Sequence, residues 1–320
     1  MKIDYFKILQ DSAKFTWKYK ILWIFGFLLA MFNGSGGSSS SNSYSDIGDS
    51  TQVPDSVKQI GDKIEEFFSS PYIWLYVIAG VFILLAIIVV SWYLSRISKT
   101  AIIKAVELDK GRKEKEIKFK SLFKTSNKYI LKLLTLDFYG FLIGVPVLLL
   151  IVLSFLAVGF FKWFGMVIVC PSIIVIFLGF VAAGAIWNVA ERLIILEDMG
   201  AKGSLVMAWN VLKRYYKQYM LAWLTSIIPG CLFSMVSGFL AVITLIPVAV
   251  IFIASLVSTS FTVIGLILSG CSCCAVSIFL KALEAPFQVF KVTYWTKFLM
   301  KLKDMSFGKR FAVEAEVVKK

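Results

Sequence analysis

Few residues in this chain are equipped for chemistry, and those few sit in apolar surroundings. Asp137 is the one acidic residue well inside an apolar run. At membrane depth a carboxylate serves as a proton or cation ligand, or as half of an ion pair. Asn188, Glu191 and Arg192 close another apolar run with a second polar group. Together the four residues form a candidate intramembrane polar site. Lys132, Lys128 or Arg192 is the expected partner if Asp137 is paired, and pairing is the preferred reading. A transporter would want several acids facing one cavity, or matching broken helices in two halves, and neither pattern is present.

The other reactive types point away from catalysis. Cys170, Cys231, Cys271, Cys273 and Cys274 all lie in apolar stretches, where a thiol behaves as a small hydrophobe. The 271–274 cluster has the softness for a thiophilic metal, but structural sites pair two separated Cys or Cys/His groups. The chain has no histidine, which removes Ser-His-Asp, Cys-His and HExxH chemistry at a stroke. No nucleophile–base set remains, so the expectation is a protein that is not an enzyme, with no metal and no cofactor.

Those residues must be positioned by membrane helices. Of 320 residues, 58% are apolar and 17% charged, and the mean hydropathy is +0.80. Soluble domains run at about 45–50% and about 25%. About 20 apolar residues cross a hydrocarbon core of about 30 Å. Runs of that kind occupy Lys18 to Phe32, Tyr72 to Leu94, Leu133 to Phe161 and Trp163 to Leu196, the last two forming a hairpin about Lys162. The first is short and needs Lys18 and Lys20 to reach toward the interface. From Tyr219 to Leu280 there is no charge, enough for two spans with an outer turn between Thr244 and Ser260.

Charge decides that count. With two spans in the last region, 31 of the 34 Lys and Arg fall on one side of the membrane. The positive-inside rule then predicts six spans with both termini cytoplasmic, in a bacterial inner membrane. Asp4, Asp11 and the missing small-x-small site argue that the first span is not a cleaved signal peptide. The expected class is therefore an all-α polytopic membrane helix bundle, one integral domain over 1–320. An extracytoplasmic Gly/Ser-rich loop occupies 33–70, with an amphipathic helix from Pro54 to Ser69. Basic cytoplasmic segments cover 95–132 and 281–320.

Amphipathic lead-in helices are expected on the cytoplasmic surface. Phe119, Leu122, Phe123 and Tyr129 alternate with Lys118, Lys120, Lys124 and Lys128; Leu205, Trp209, Leu212 and Tyr216 with Lys213, Arg214 and Lys217. Aromatic and basic groups together suit the headgroups of anionic lipids. Nucleic acid is the poorer reading, because the apolar faces need lipid or protein to cover them. The expected partners are thus the bilayer, anionic lipids, and a protein partner or second copy. A Ser–Asn spacing of six, at Ser121/Asn127 and Ser204/Asn210, marks a repeat, with Tyr5 to Trp17 as a third copy. Gly140 and Gly144 form a G-x-x-x-G, a helix-packing signal.

One stretch carries a family resemblance. Ile195-Leu196-Glu197-Asp198-Met199-Gly200-Ala201, running on through Ser204-Leu205 and Ala208-Trp209 to Tyr215-Tyr216-Lys217, resembles a junction in the membrane domain associated with glycerophosphodiester phosphodiesterases and related bacterial six-span proteins. Ala285-Pro286-Phe287 to Tyr294-Trp295 is similar to that group's ending after its last span. The phosphodiesterase chemistry belongs to a separate barrel with catalytic histidines, and this chain has none. What the resemblance implies is a membrane module of unassigned role. The leading expectation is lipid binding or partner organisation at the basic face; the alternative is a small-solute or ion transporter using Asp137.

Overall fold

A computed structural model describes residues 3–32, 73–111, 117–257 and 262–306, and every element among them is an α-helix. The expected outer-loop helix at 54–69 lies outside the described residues, as do 112–116 and 307–320 of the basic segments.

The first helix, α1 (Tyr5–Lys18), starts where the Asp4 carboxylate accepts from the Lys7 amide at 3.0 Å, satisfying a backbone donor that the first turn leaves open. Its buried residues Ile8, Ser12, Phe15 and Thr16 fall on one stripe. The two hydroxyls donate to the carbonyls four residues back, at 2.7 and 2.9 Å, so their burial leaves no donor unmet. After Tyr19 the chain turns by 105° into α2 (Leu22–Phe32). This is the expected first span, only 11 residues long, and it lies against its neighbours rather than alone. Leu22, Phe25 and Leu29 are buried with Ile97, Ile102 and Val289 in one core cluster.

The long helix α3 (Ile73–Lys110) has 38 residues, about 57 Å at 1.5 Å per residue. That exceeds a hydrocarbon core of about 30 Å, so its later turns project beyond the apolar layer. A short α4 (Phe119–Asn127) leads into α5 (Ile130–Glu197), assigned as helix over 68 residues. A straight helix of that length would hold its ends about 100 Å apart. Instead the Lys132 ammonium sits 2.8 Å from the Asp198 carboxylate, and a Cβ at Gly140 would run into the Trp187 ring. The chain therefore doubles back between 149 and 179, as the hairpin expectation required. Gly140 serves that close approach within one hairpin; Gly144, its partner in the expected motif, faces open space.

The second hairpin is α6 (Ala201–Val257) and α7 (Thr262–Ser306). Residues 258–261 between them, which overlap the expected turn interval, lie outside the described residues. Tyr215 leaves helical geometry (φ −117°, ψ 30°), separating a surface half of α6 from its membrane half. The arms align through a Phe233–Phe287 stack at 4.3 Å and a bond from the Tyr294 hydroxyl to the Ala222 carbonyl at 2.9 Å.

Five segments are long and apolar enough to cross a membrane: Trp74–Lys110, Ile130–Leu149, Gly179–Glu197, Ala201–Val250 and Gly270–Asp304; counting the bent α1–α2 pair as one gives six. The protein is thus a polytopic helical membrane bundle. Its core lies at one end, where α1, α2 and α4 gather around the later turns of α3 and α7, both ends of α5 and the first turns of α6. We call this end the collar. Beyond it the apolar residues of α3, such as Phe82 and Val89, are exposed at 69% and 61%, which is where lipid would meet them. The basic segments meet at the collar: Lys110 pairs with Asp304 at 2.7 Å, and Lys303 with Glu197.

Candidate functional site

The four residues of the expected polar site lie in one region of the structure, with Arg96 between the two carboxylates. Asp137 faces neither Lys132 nor Arg192. Its Oδ1 accepts from Arg96 Nη2 at 2.6 Å and its Oδ2 from the Trp92 indole at 2.8 Å. The other guanidinium nitrogen, Nη1, reaches Glu191 at 3.1 Å, and Lys99 bonds the second oxygen of that carboxylate. Arg96 and Lys99 are three apart on α3 and so share a face. Glu191 is fully buried on the return arm of α5, and Asp137 is one-fifth exposed on the outgoing arm. A single planar fork thus ties three helical segments together, a geometry that Arg offers and Lys does not.

Arg192 stands beside this group without joining its carboxylates by a hydrogen bond. Its Nη1 donates to the Asn188 carbonyl at 2.6 Å and its Nε is buried with no partner. Asn188 in turn donates to the Gly184 carbonyl at 2.8 Å. Asp137, Glu191, Asn188 and Arg192 are therefore brought to one region, but the residues that organise it are Arg96, Lys99 and Trp92. The signal for them was present: two cations three apart, continuing an apolar span through small hydroxyl residues Ser95, Ser98 and Thr100. With both Asp137 oxygens engaged, the arrangement does structural work: it fixes the angle between α3 and the hairpin.

Lys132 and Lys128, displaced from the expected role, both serve Asp198, at 2.8 and 3.5 Å. Asp198 caps α5 in the left-handed region (φ 56°, ψ 28°), a conformation that Asn and Asp tolerate better than other side chains. The hydrogen bond from Lys132, followed by the charges of Lys132 and Lys128, holds its carboxyl below the usual carboxylate range despite slight desolvation. A depressed folded value stabilises the fold above the unfolded pKa of about 3.9 and is lost as the pH falls through the lower folded value. Asp198→Asn, which keeps the backbone preference, should therefore be less stable than wild type at pH 6. That difference should shrink toward zero as thermal melts in detergent are taken below about pH 4; a pH-independent difference would contradict the pairing.

The expected lipid-contact cations divide by surroundings. Lys118, Lys120, Lys124 and Lys128 line α4, whose Leu122 and Ser126 are buried against the collar. All four lysines are exposed. Lys213, Arg214 and Lys217 are exposed on α6 around its kink, with Trp209 and Tyr216 exposed at 54% and 57% between them. A cleft of about 260 Å³ opens between α1 and the ends of α3 and α7, lined by Asp11, Asp109, Lys110, Lys297 and Asp304 among others. Within it Lys110 pairs with Asp304, and Lys297 donates to the Asp11 carbonyl at 2.8 Å while lying 5.1 Å over the Phe15 ring.

Cys231, Cys271, Cys273 and Cys274 are exposed on the apolar flanks of the second hairpin. Among the described residues no three His, Cys, Asp or Glu side chains converge as a metal site would require. A family model described as a family of unknown function, DUF7544, matches residues 20–306. No curated protein and no solved structure matches the chain.

Proposed function

We propose, for a chain that belongs to the DUF7544 family of unknown function, a non-enzymatic module of a bacterial inner membrane that holds anionic lipid at its collar. The collar then faces the cytoplasm, as the positive-inside rule directs. The observation that carries this reading is the placing of Lys118, Lys120 and Lys124: exposed on a helix whose other face is buried in the collar. A row of cations held rigidly where spans leave the apolar layer meets headgroup phosphates without ordering any backbone first. The Asp137 carboxylate, with both oxygens bonded, gives the transport alternative no support.

The reading is tested by replacing the row. Each cation near an anionic surface contributes about 1 kcal/mol. Lys118→Glu/Lys120→Glu/Lys124→Glu should thus lower the preference for phosphatidylglycerol over phosphatidylcholine by about a hundredfold or more, measured with fluorescent lipid in mixed nanodiscs. An unchanged preference, or a co-purifying protein that leaves with the charges, would replace lipid with another role for this face.

A further inference from the structure

The surface helices meet their membrane segments at three junctions built alike. Each has a cation followed by a tyrosine: Lys18-Tyr19 between α1 and α2, Lys128-Tyr129 between α4 and α5, and Arg214-Tyr215 at the kink of α6. In each the cation lies over the ring of that tyrosine, at 4.9, 5.8 and 5.8 Å. Seven residues earlier the helix is anchored by a buried side chain, Ser12, Leu122 or Ala208. The three junctions share this register, whereas the Ser–Asn positions differ in surroundings, Ser204 being buried and Ser121 exposed.

At two junctions a carboxylate completes the arrangement. Asp109, near the end of α3, is 3.7 Å from Lys18, and Asp198, following α5, is 3.5 Å from Lys128. The corresponding residue of the last helix is Asp304, since Leu302-Lys303-Asp304-Met305 matches Leu196-Glu197-Asp198-Met199. Asp304 bonds Lys110 at 2.7 Å instead. Among the described residues no carboxylate pairs with Arg214, which is exposed.

We propose that Arg214 binds the phosphate of an anionic phospholipid, which takes at the third junction the part that Asp109 and Asp198 take at the first two. Residue type agrees. Lysine stands where the chain supplies its own carboxylate, and arginine, whose fork matches a phosphate bidentately, stands where it does not. Lys217 adds a second cation beside it, over the Tyr216 ring at 5.8 Å. The exposed Met220 and Leu221 (57% and 51%) continue from the junction along the membrane half of α6, offering apolar surface to the acyl chains of the same molecule. A free phosphate would use the guanidinium and leave that surface idle.

The proposal rests on the lipid-binding reading and narrows it to one position. Full-length protein in a neutral detergent is titrated with phosphatidylglycerol, and bound lipid is counted by native mass spectrometry. Arg214→Gln should weaken the tightest binding event about tenfold or more, as the loss of hydrogen bonds to a charged group implies. Arg214→Lys should retain part of it, and Lys213→Gln, removing an adjacent exposed cation, should cost about fivefold or less. Equal losses for Arg214→Gln and Lys213→Gln would overturn the site, leaving only diffuse surface charge, with the broader reading intact. Displacement of the lipid by an equal concentration of inorganic phosphate would overturn the lipid assignment.

Discussion

Glu191→Gln should cost about 3–5 kcal/mol of stability, the largest loss from any isosteric change in this protein. The carboxylate is fully buried and accepts from Arg96 on one oxygen and Lys99 on the other. Removing its charge leaves Arg96, Lys99 and the neighbouring Arg192 close together with only Asp137 to answer them. Burial makes the effect asymmetric: an intact buried pair adds little over an apolar filling, whereas half of one leaves an uncompensated ion in low dielectric. Lys99→Met, which leaves Glu191 bonded to Arg96, should therefore cost less than Glu191→Gln. Asp137→Asn should as well, because that side chain is partly exposed. Thermal unfolding in detergent orders the three variants; a Glu191→Gln protein as stable as wild type would show that the cluster does not hold α3 to the hairpin.

Gly26→Leu should be the most damaging steric change. A Cβ at residue 26 would run into the backbone carbonyl of Ala285 and into Val289. A flexible neighbour could turn aside, but a helix backbone cannot, so α2 would have to leave α7. Overpacking typically costs 1–3 kcal/mol. Here the displaced helix also withdraws Leu22, Phe25 and Leu29 from their core cluster, so the loss should lie at or above the top of that range. Gly230→Leu is the comparison, since nothing lies within 4 Å of a Cβ there. Size-exclusion profiles and melting temperatures should separate the two; equal behaviour would mean that α2 is not seated against α7.

The two predictions differ in how visible their residues are in the sequence. Spans and hairpins were legible because apolar run length and charge segregation are local properties, and Leu205, Trp209 and Leu212 announced an amphipathic helix by periodicity alone. Asp137 was legible as a carboxylate at membrane depth for the same reason. Its partner was not: Arg96 lies 41 residues away on another helix, and periodicity says which face a residue occupies, never which helix that face meets. Lys132 is nearer in the chain but on the wrong side of its helix, facing Asp198. Gly26 was equally mute, since a glycine in an apolar run reads the same whether a backbone presses on it or lipid does. The Ser–Asn spacing is visible in the sequence, whereas the feature the three junctions share is the cation–tyrosine contact, which only three dimensions display.

The doubling back of residues 130–197, and again of 201–306, bears on how such a chain is made and how it can change. Each hairpin returns the polypeptide to the side it left. A ribosome can therefore deliver one unit at a time, as multidomain chains are delivered, without carrying a lysine-rich segment through the bilayer. Duplicating or deleting one such unit inverts nothing downstream. An odd number of added crossings would expose the collar residues of every later unit to the opposite compartment; whole hairpins never do. Growth by pairs is thus the tolerated route for this architecture, and the junctions at Tyr129 and Tyr215 mark where a pair begins.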